Sequence, residues 1–224
     1  MFFEQILKRK ELVRGIWHVL SISGAAIIFH LADSSALLGL IVFGLVFLAF
    51  DYGRARNVRW MKAVIRAFTG QLFFNALREK ERNHLSTSSH FIYAGLIIVS
   101  LYLFCGLPKF IMIAAAMFLA VGDPMARLIG KEWKETGFNG LVDSATREML
   151  TFGRKTMIGS ISFFFFGLLS AVVFCNLAGY IVPWNVIASG CLVATLVEFW
   201  CVNWDNFFVP LCSVLSMWAL AQSI

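Results

Sequence analysis

Charge is what this 224-residue chain has least of. Asp, Glu, Lys and Arg make up 14% of it, where a soluble domain carries roughly 25%. That scarcity argues against a disordered chain and against an ordinary cytosolic domain. Acids are the scarcer sign, with 13 Asp and Glu against 19 Lys and Arg, for a net charge of +6. Cysteine is present without pattern. Cys105, Cys175, Cys191, Cys201 and Cys212 stand singly inside apolar runs, and no CxxC or Cys/His pair has metal-ligand spacing. A disulfide scaffold is thereby excluded, and the thiols read as small buried apolar side chains. Strict apolar/polar alternation is missing as well, which argues against an outer-membrane barrel. No internal repeat or low-complexity tract divides the chain, so 1–224 reads as a single integral membrane domain. A P-loop is absent: the residue five before Gly130-Lys131 is Met125, not Gly, and Glu132 stands where Ser or Thr is required.

What the chain has instead is apolar length. Hydrophobic residues make up 59%, with 23 Phe. Seven apolar stretches fall at roughly 16–32, 35–50, 91–106, 109–122, 157–182, 185–202 and 206–222, against the ~20 residues of one bilayer crossing; the fourth is short, and the last reads as a hairpin or a tilted span. The expected fold is all-α: a polytopic helical membrane protein with about seven transmembrane helices. The cations support that count. Four precede the first stretch, eight lie between the second and third, and six between the fourth and fifth, so only Lys109 falls on the opposite side. By the positive-inside rule the N-terminus is cytoplasmic and the C-terminus outside. The excess of cations therefore reads as orientation plus contact with phosphates, with no nucleic acid partner. Between the second and third stretches, Val58, Met61, Ile65, Phe68 and Leu72 recur at helical spacing opposite Arg59, Lys62 and Arg66. That pattern predicts an amphipathic helix lying on the cytoplasmic interface.

In so apolar a chain, polar residues at the ends of spans carry the information. Glu11, Arg14 and His18 share one helical face leading into the first span, as headgroup anchors or as a cationic wall for phosphate. Gly122-Asp123-Pro124 reads as a broken helix, with Asp123 as N-cap and Pro124 as the first residue of a new helix. Such an N-terminus suits a phosphate, and Asp123 suits both a cap and a Mg²⁺ ligand. Gly153-Arg154-Lys155-Thr156, followed by Gly159 and Ser160, offers cations and close backbone approach to oxyanions, or an ordinary basic stop signal. Glu198 lies inside an apolar run, with Asp205 and Asn206 seven and eight residues on. On one continuous helix Glu198 and Asp205 would share a face about 10 Å apart. A structural role, pairing Glu198 with Arg14, is the alternative. The hydroxyls of His84–His90 read as a cap on the third span, and His30 as an interfacial or packed histidine.

Taken in order, these clusters resemble the CTP-dependent lipid kinase family: dolichol kinase, the yeast-type diacylglycerol kinase and phytol kinase. Arg14-Gly15-Ile16-Trp17-His18 resembles its Arg-Lys-x-x-His element. Asp123, Ala126 and Gly130 match its Asp-x-x-Ala-x-x-x-Gly, and Arg154-Lys155-Thr156-Met157-Ile158-Gly159 resembles its Lys-Lys-Thr-x-Glu-Gly. Glu198, Asp205, Asn206 and Pro210 meet its last element. Gly15 and Ile158 stand where the family usually has Lys and Glu. The resemblance spans residues 11–210 and implies a transferase that moves the γ-phosphate of CTP to a membrane lipid hydroxyl, such as a diacylglycerol or a polyprenol, in phospholipid or polyprenol metabolism. It implies Mg²⁺ on Asp123 and Asp205, catalytic roles for Arg14, His18, Asp123, Glu198 and Asp205, and nucleotide contacts from Gly122, Ala126, Gly130, Gly153, Arg154, Lys155, Thr156, Gly159 and Asn206. A phosphatidate cytidylyltransferase and a non-enzymatic lipid-binding or transport protein are the competing expectations. The Lys-Arg, Lys-Asp and His-Gly-Gly elements of CDP-diacylglycerol synthases are not found. The small size favours a bacterial inner membrane over the endoplasmic reticulum, and the oligomeric state is left open.

Overall fold

The computed structural model describes residues 2–64, 66–67, 85–153, 155–181, 183–201 and 204–223, without the side chains of 2–14, Thr87 and Asn139. The described residues are almost wholly helical. The helices are α1 (Phe2–Leu31), α2 (Ser34–Ala55), α3 (Thr87–Cys105), α4 (Lys109–Met117), α5 (Asp123–Gly140), α6 (Ser144–Met149), α7 (Met157–Leu177), α8 (Trp184–Trp200) and α9 (Asp205–Ala221). A small hairpin, β1 (Thr151–Phe152) and β2 (Lys155–Thr156), precedes α7. Among the described residues four segments are long and apolar enough to cross a bilayer: Ser34–Ala55, Ser88–Cys105, Lys109–Phe138 and Met157–Leu177. Three more apolar helices, Gly15–Leu31, Trp184–Trp200 and Asp205–Ala221, are shorter.

Side-chain chemistry fixes the helix ends. Asp33 accepts the Ala36 amide at 2.7 Å and so caps α2. That bond, with one from the Ser35 hydroxyl, holds the Asp33 carboxyl below the usual carboxylate range. Gly106 closes α3 with a left-handed φ of 73°, which costs glycine nothing. The predicted Asp123-Pro124 break does not occur. Gly122 and Asp123 are both right-handed helical, and α4 runs into α5 through a five-residue π-helix, Phe118–Gly122. Pro124 has no N–H to donate, and its ring crowds the carbonyl four residues back. The wider π turn relieves both conflicts without ending the helix. Asp123 is therefore not an N-cap, and α5 has no free N-terminus for a phosphate.

The α4–π–α5 rod is the centre of the bundle. Ile111 through Ala120 are all buried, and α1, α7 and α9 pack around them. Ala114, Ala115, Ala116 and Ala120 let neighbouring backbones approach, the usual basis of helix association where lipid supplies no hydrophobic drive. At one end of α2 the structure holds an ion pair the sequence reading missed. Asp51 and Arg54 are both 1% exposed, with Arg54 Nε donating to Asp51 Oδ1 at 2.6 Å. The other Asp51 oxygen accepts the Ser86 amide at 2.8 Å and the Ser89 hydroxyl. Ser86 does cap α3, but Ser89 also ties that cap to α2. Of the expected interfacial helix, residues 68–82 lie outside the described residues. Residues 59–64 are helical, and Met61 packs on Gly53, where a Cβ would collide with it.

Candidate functional site

Charged residues on α5 recur every four positions: Asp123, Arg127, Lys131 and Glu135. That spacing places them along one helical face, with Ala126, Gly130 and Lys134 beside them. The face looks into a cavity of about 450 Å³. The opposite wall is the start of α7 and its hairpin, with Lys155, Thr156, Gly159 and Ser160. Glu198 from the end of α8 and Asp205 from the start of α9 close it. Four acids thus face four cations across one space, and within the wall most of them pair.

Helices α5 and α7 meet closely because two glycines face each other. A Cβ on Gly130 would lie 2.8 Å from Thr156 Oγ1, and one on Gly159 would lie 2.9 Å from the Ala126 carbonyl. Thr156 Oγ1 also accepts the Gly159 amide at 3.0 Å and caps α7. Gly159's amide is held in this cap and its missing side chain serves helix contact, while the Thr156 hydroxyl, which only accepts there, keeps its own proton to donate into the cavity. The N-terminus that does open on the cavity is that of α7, where Ser160 Oγ is buried with no hydrogen-bond partner among the described residues. Gly159→Ala should lower stability by about 1–3 kcal/mol through overpacking, read as a drop in the thermal unfolding midpoint. An unchanged midpoint would mean that α5 and α7 do not need this contact.

Asp123 is 5% exposed. Its Oδ2 accepts Arg127 at 2.6 Å, and His18 Nε2 on α1 stands 3.5 Å away, a contact too long for a good hydrogen bond. Lys155 on β2 pairs with Glu198 Oε1 across forty-three residues of sequence. Glu198 is 3% exposed, and its Oε2 is buried with no hydrogen-bond partner among the described residues. The expected route from Glu198 to Asp205 is also corrected. The two do not share a helix: α8 ends at Trp200, Cys201 is extended, and α9 starts afresh at Asp205. Both reach the cavity because two helix ends meet there. Asp205 Oδ1 accepts the Asn206 amide at 2.9 Å, and its charge suits the first turn of α9.

The structure thus gathers Asp123, Ala126, Gly130, Lys155, Thr156, Gly159, Glu198 and Asp205 around one cavity, with His18 touching Asp123. Three expected contacts are elsewhere. Gly122 is buried, and its missing Cβ makes room for the Phe163 ring, 3.1 Å from where that atom would be. Asn206 is buried and does not line the cavity. Gly153 (φ 58°) turns the hairpin, and its carbonyl accepts Lys134 Nζ at 2.7 Å. Arg14's side chain and Arg154 lie outside the described residues. Arg127, Lys131, Lys134 and Glu135 line the cavity without having been singled out as site residues, although the four-residue spacing from Asp123 to Arg127, Lys131 and Glu135 was there to be read.

No group of three or more His, Cys, Asp and Glu arranged to hold a metal occurs among the described residues. A dedicated metal cage is therefore missing from that part of the chain. Mg²⁺ commonly uses one or two carboxylates plus substrate phosphates and waters. Asp123, Asp205 and the free oxygen of Glu198 suit that looser mode. Fold and site together define an all-helical protein with four segments able to cross a membrane and a charged cavity lined from several of its helices. No protein-family model matches the chain, and no solved structure matches it. It is similar to an uncharacterized protein of Rickettsia prowazekii (strain Madrid E), 28% identical over 165 residues, which span 71% of this chain and 72% of that protein.

Proposed function

We propose that the protein is a lipid-alcohol kinase of the CTP-dependent type, transferring the γ-phosphate of a nucleoside triphosphate to a membrane-embedded hydroxyl. One observation carries the reading. Residues from four separate stretches of chain converge on a single cavity, and the buried Glu198 keeps one carboxylate oxygen without a hydrogen-bond partner among the described residues. The residues' division of labour follows from their surroundings. Lys131, Lys134 and Lys155 neutralise the phosphates, with the N-terminus of α7 contributing its dipole. Asp123 and Asp205 are the residues that would hold Mg²⁺, which when bound offsets charge on the phosphates. Arg127 and His18 orient Asp123 and face the group in transit. Glu198 Oε2 accepts the proton of the lipid hydroxyl as its oxygen bonds to the γ-phosphorus. The bond from that phosphorus to the bridging oxygen breaks, and the nucleoside diphosphate leaves with the electron pair. Arg14 and Arg154 keep the phosphate-binding roles that the resemblance implies.

The same reading takes the three 17-residue apolar helices as further crossings, at the short end of the spanning range. That gives seven spans, an interfacial helix after the second, and a cytoplasmic site in a bacterial inner membrane. The protein in lipid nanodiscs, given CTP, Mg²⁺ and either diacylglycerol or a polyprenol, should form the phosphomonoester of one alcohol, seen by mass spectrometry. A CDP-lipid formed from added phosphatidic acid would replace this reading with cytidylyl transfer. Unchanged lipid with both CTP and ATP would overturn the enzymatic reading.

A further inference from the structure

Beside the charged cavity lies a second space of about 300 Å³, between α1 and α5. Gly15, Ile16, Val19 and Leu20 form one side, and Val121, Met125 and Leu128 the other. Among the described residues its lining is apolar except for Arg127, which also lines the charged cavity. Ile16, Leu20 and Leu128 are all about half exposed. Helix α1 thus offers His18 to Asp123 and its neighbouring apolar residues to the groove. One guanidinium, held by Asp123 at 2.6 Å, separates the two spaces.

We infer that this groove seats the hydrocarbon next to the hydroxyl of the lipid substrate, so that the alcohol passes Arg127 into the charged cavity while its tail stays in the bilayer. The inference rests on the kinase reading and names the path its acceptor takes. Continuity argues for a lipid occupant: the described lining of the groove is apolar apart from Arg127, and through Arg127 the groove adjoins the polar site. Its size limits what it recognises. Gly15 to Leu20 covers only about 7 Å of helix, so the groove reads the first few carbons and leaves the rest of the tail free. Lipid tails are as apolar as the groove, so fit rather than hydrophobic gain sets selectivity.

Gly15 supplies the test. A Cβ there meets nothing within 4 Å, and any ordinary residue favours the helix over glycine, so Gly15→Trp should fold and fill the groove. The probe is a long-chain primary alcohol with a diazirine on the carbons beside its hydroxyl, photolysed with native and variant protein in nanodiscs without nucleotide. Native protein should be labelled on α1 and α5 at groove residues, and Gly15→Trp should lower that labelling about tenfold, a typical penalty for misfit in an apolar pocket. The KM for the lipid should rise while that for CTP is unchanged. Label on other helices, or groove label that Gly15→Trp leaves intact, overturns the groove while a working transfer assay keeps the kinase. Groove label that the variant removes, with no transfer in any assay, keeps the groove and removes the kinase.

Discussion

Asp123→Asn should lower phosphoryl transfer by about 10³-fold in kcat, the scale of losing one preorganised electrostatic contact to a transition state. The substitution keeps shape and removes charge. Asp123 sits on the π-to-α junction, 5% exposed, with Arg127 on one of its oxygens and His18 close to the same atom. Arg127 keeps a third of its side-chain surface exposed, so its guanidinium can turn to water or phosphate, and the fold should lose only about 1 kcal/mol. Activity and stability therefore part company. Steady-state transfer and thermal unfolding on the same preparation check this. A variant with native kcat would remove Asp123 from the reaction, and one that fails to fold would show its charge to be structural.

Lys155→Met is expected to act on both. It leaves Glu198 charged at 3% exposure without its ion-pair partner. Breaking a buried pair from one side costs about 3–5 kcal/mol, whereas removing both charges can be nearly neutral. The single variant should unfold roughly 10 °C earlier and transfer no phosphate. Adding Glu198→Gln should return the midpoint to near native, and transfer should stay absent because the proton acceptor is gone. If the double variant regained activity, Glu198 would be a structural partner only. If the single variant lost no stability, the pair would not be holding β2 to α8.

The helices were legible because apolar length is a direct signal. The last two stretches, 185–202 and 206–222, match α8 and α9 within two residues. The long centre was not legible, since Asp-Pro normally opens a helix and a π turn leaves no mark in residue type. Asp123, Lys155, Glu198 and Asp205 were findable as polar residues at the ends of apolar runs. Arg127, Lys131 and Lys134 were hidden by their own explanation: as cations they were counted toward orientation, although they share a face with Asp123. The glycines carry a second role that residue type does not reveal. Gly130 stands in the motif the resemblance rests on and Gly159 in a cluster read for backbone approach to oxyanions, and the geometry adds that both let α5 and α7 touch. Asp51 and Arg54 were missed because Arg54 falls where a loop cation is expected, yet folds inward onto Asp51 and, through it, Ser86 and Ser89.

The central claim is that this cavity passes a terminal phosphate to a lipid. The most direct test supplies the purified protein with CTP labelled at the α or the γ phosphorus, in parallel, with Mg²⁺ and mixed lipid micelles that include alcohols and phosphatidic acid. The account predicts label in the lipid fraction from γ-labelled CTP alone, lost in Asp123→Asn. Label from α-labelled CTP, or none from either, would contradict it.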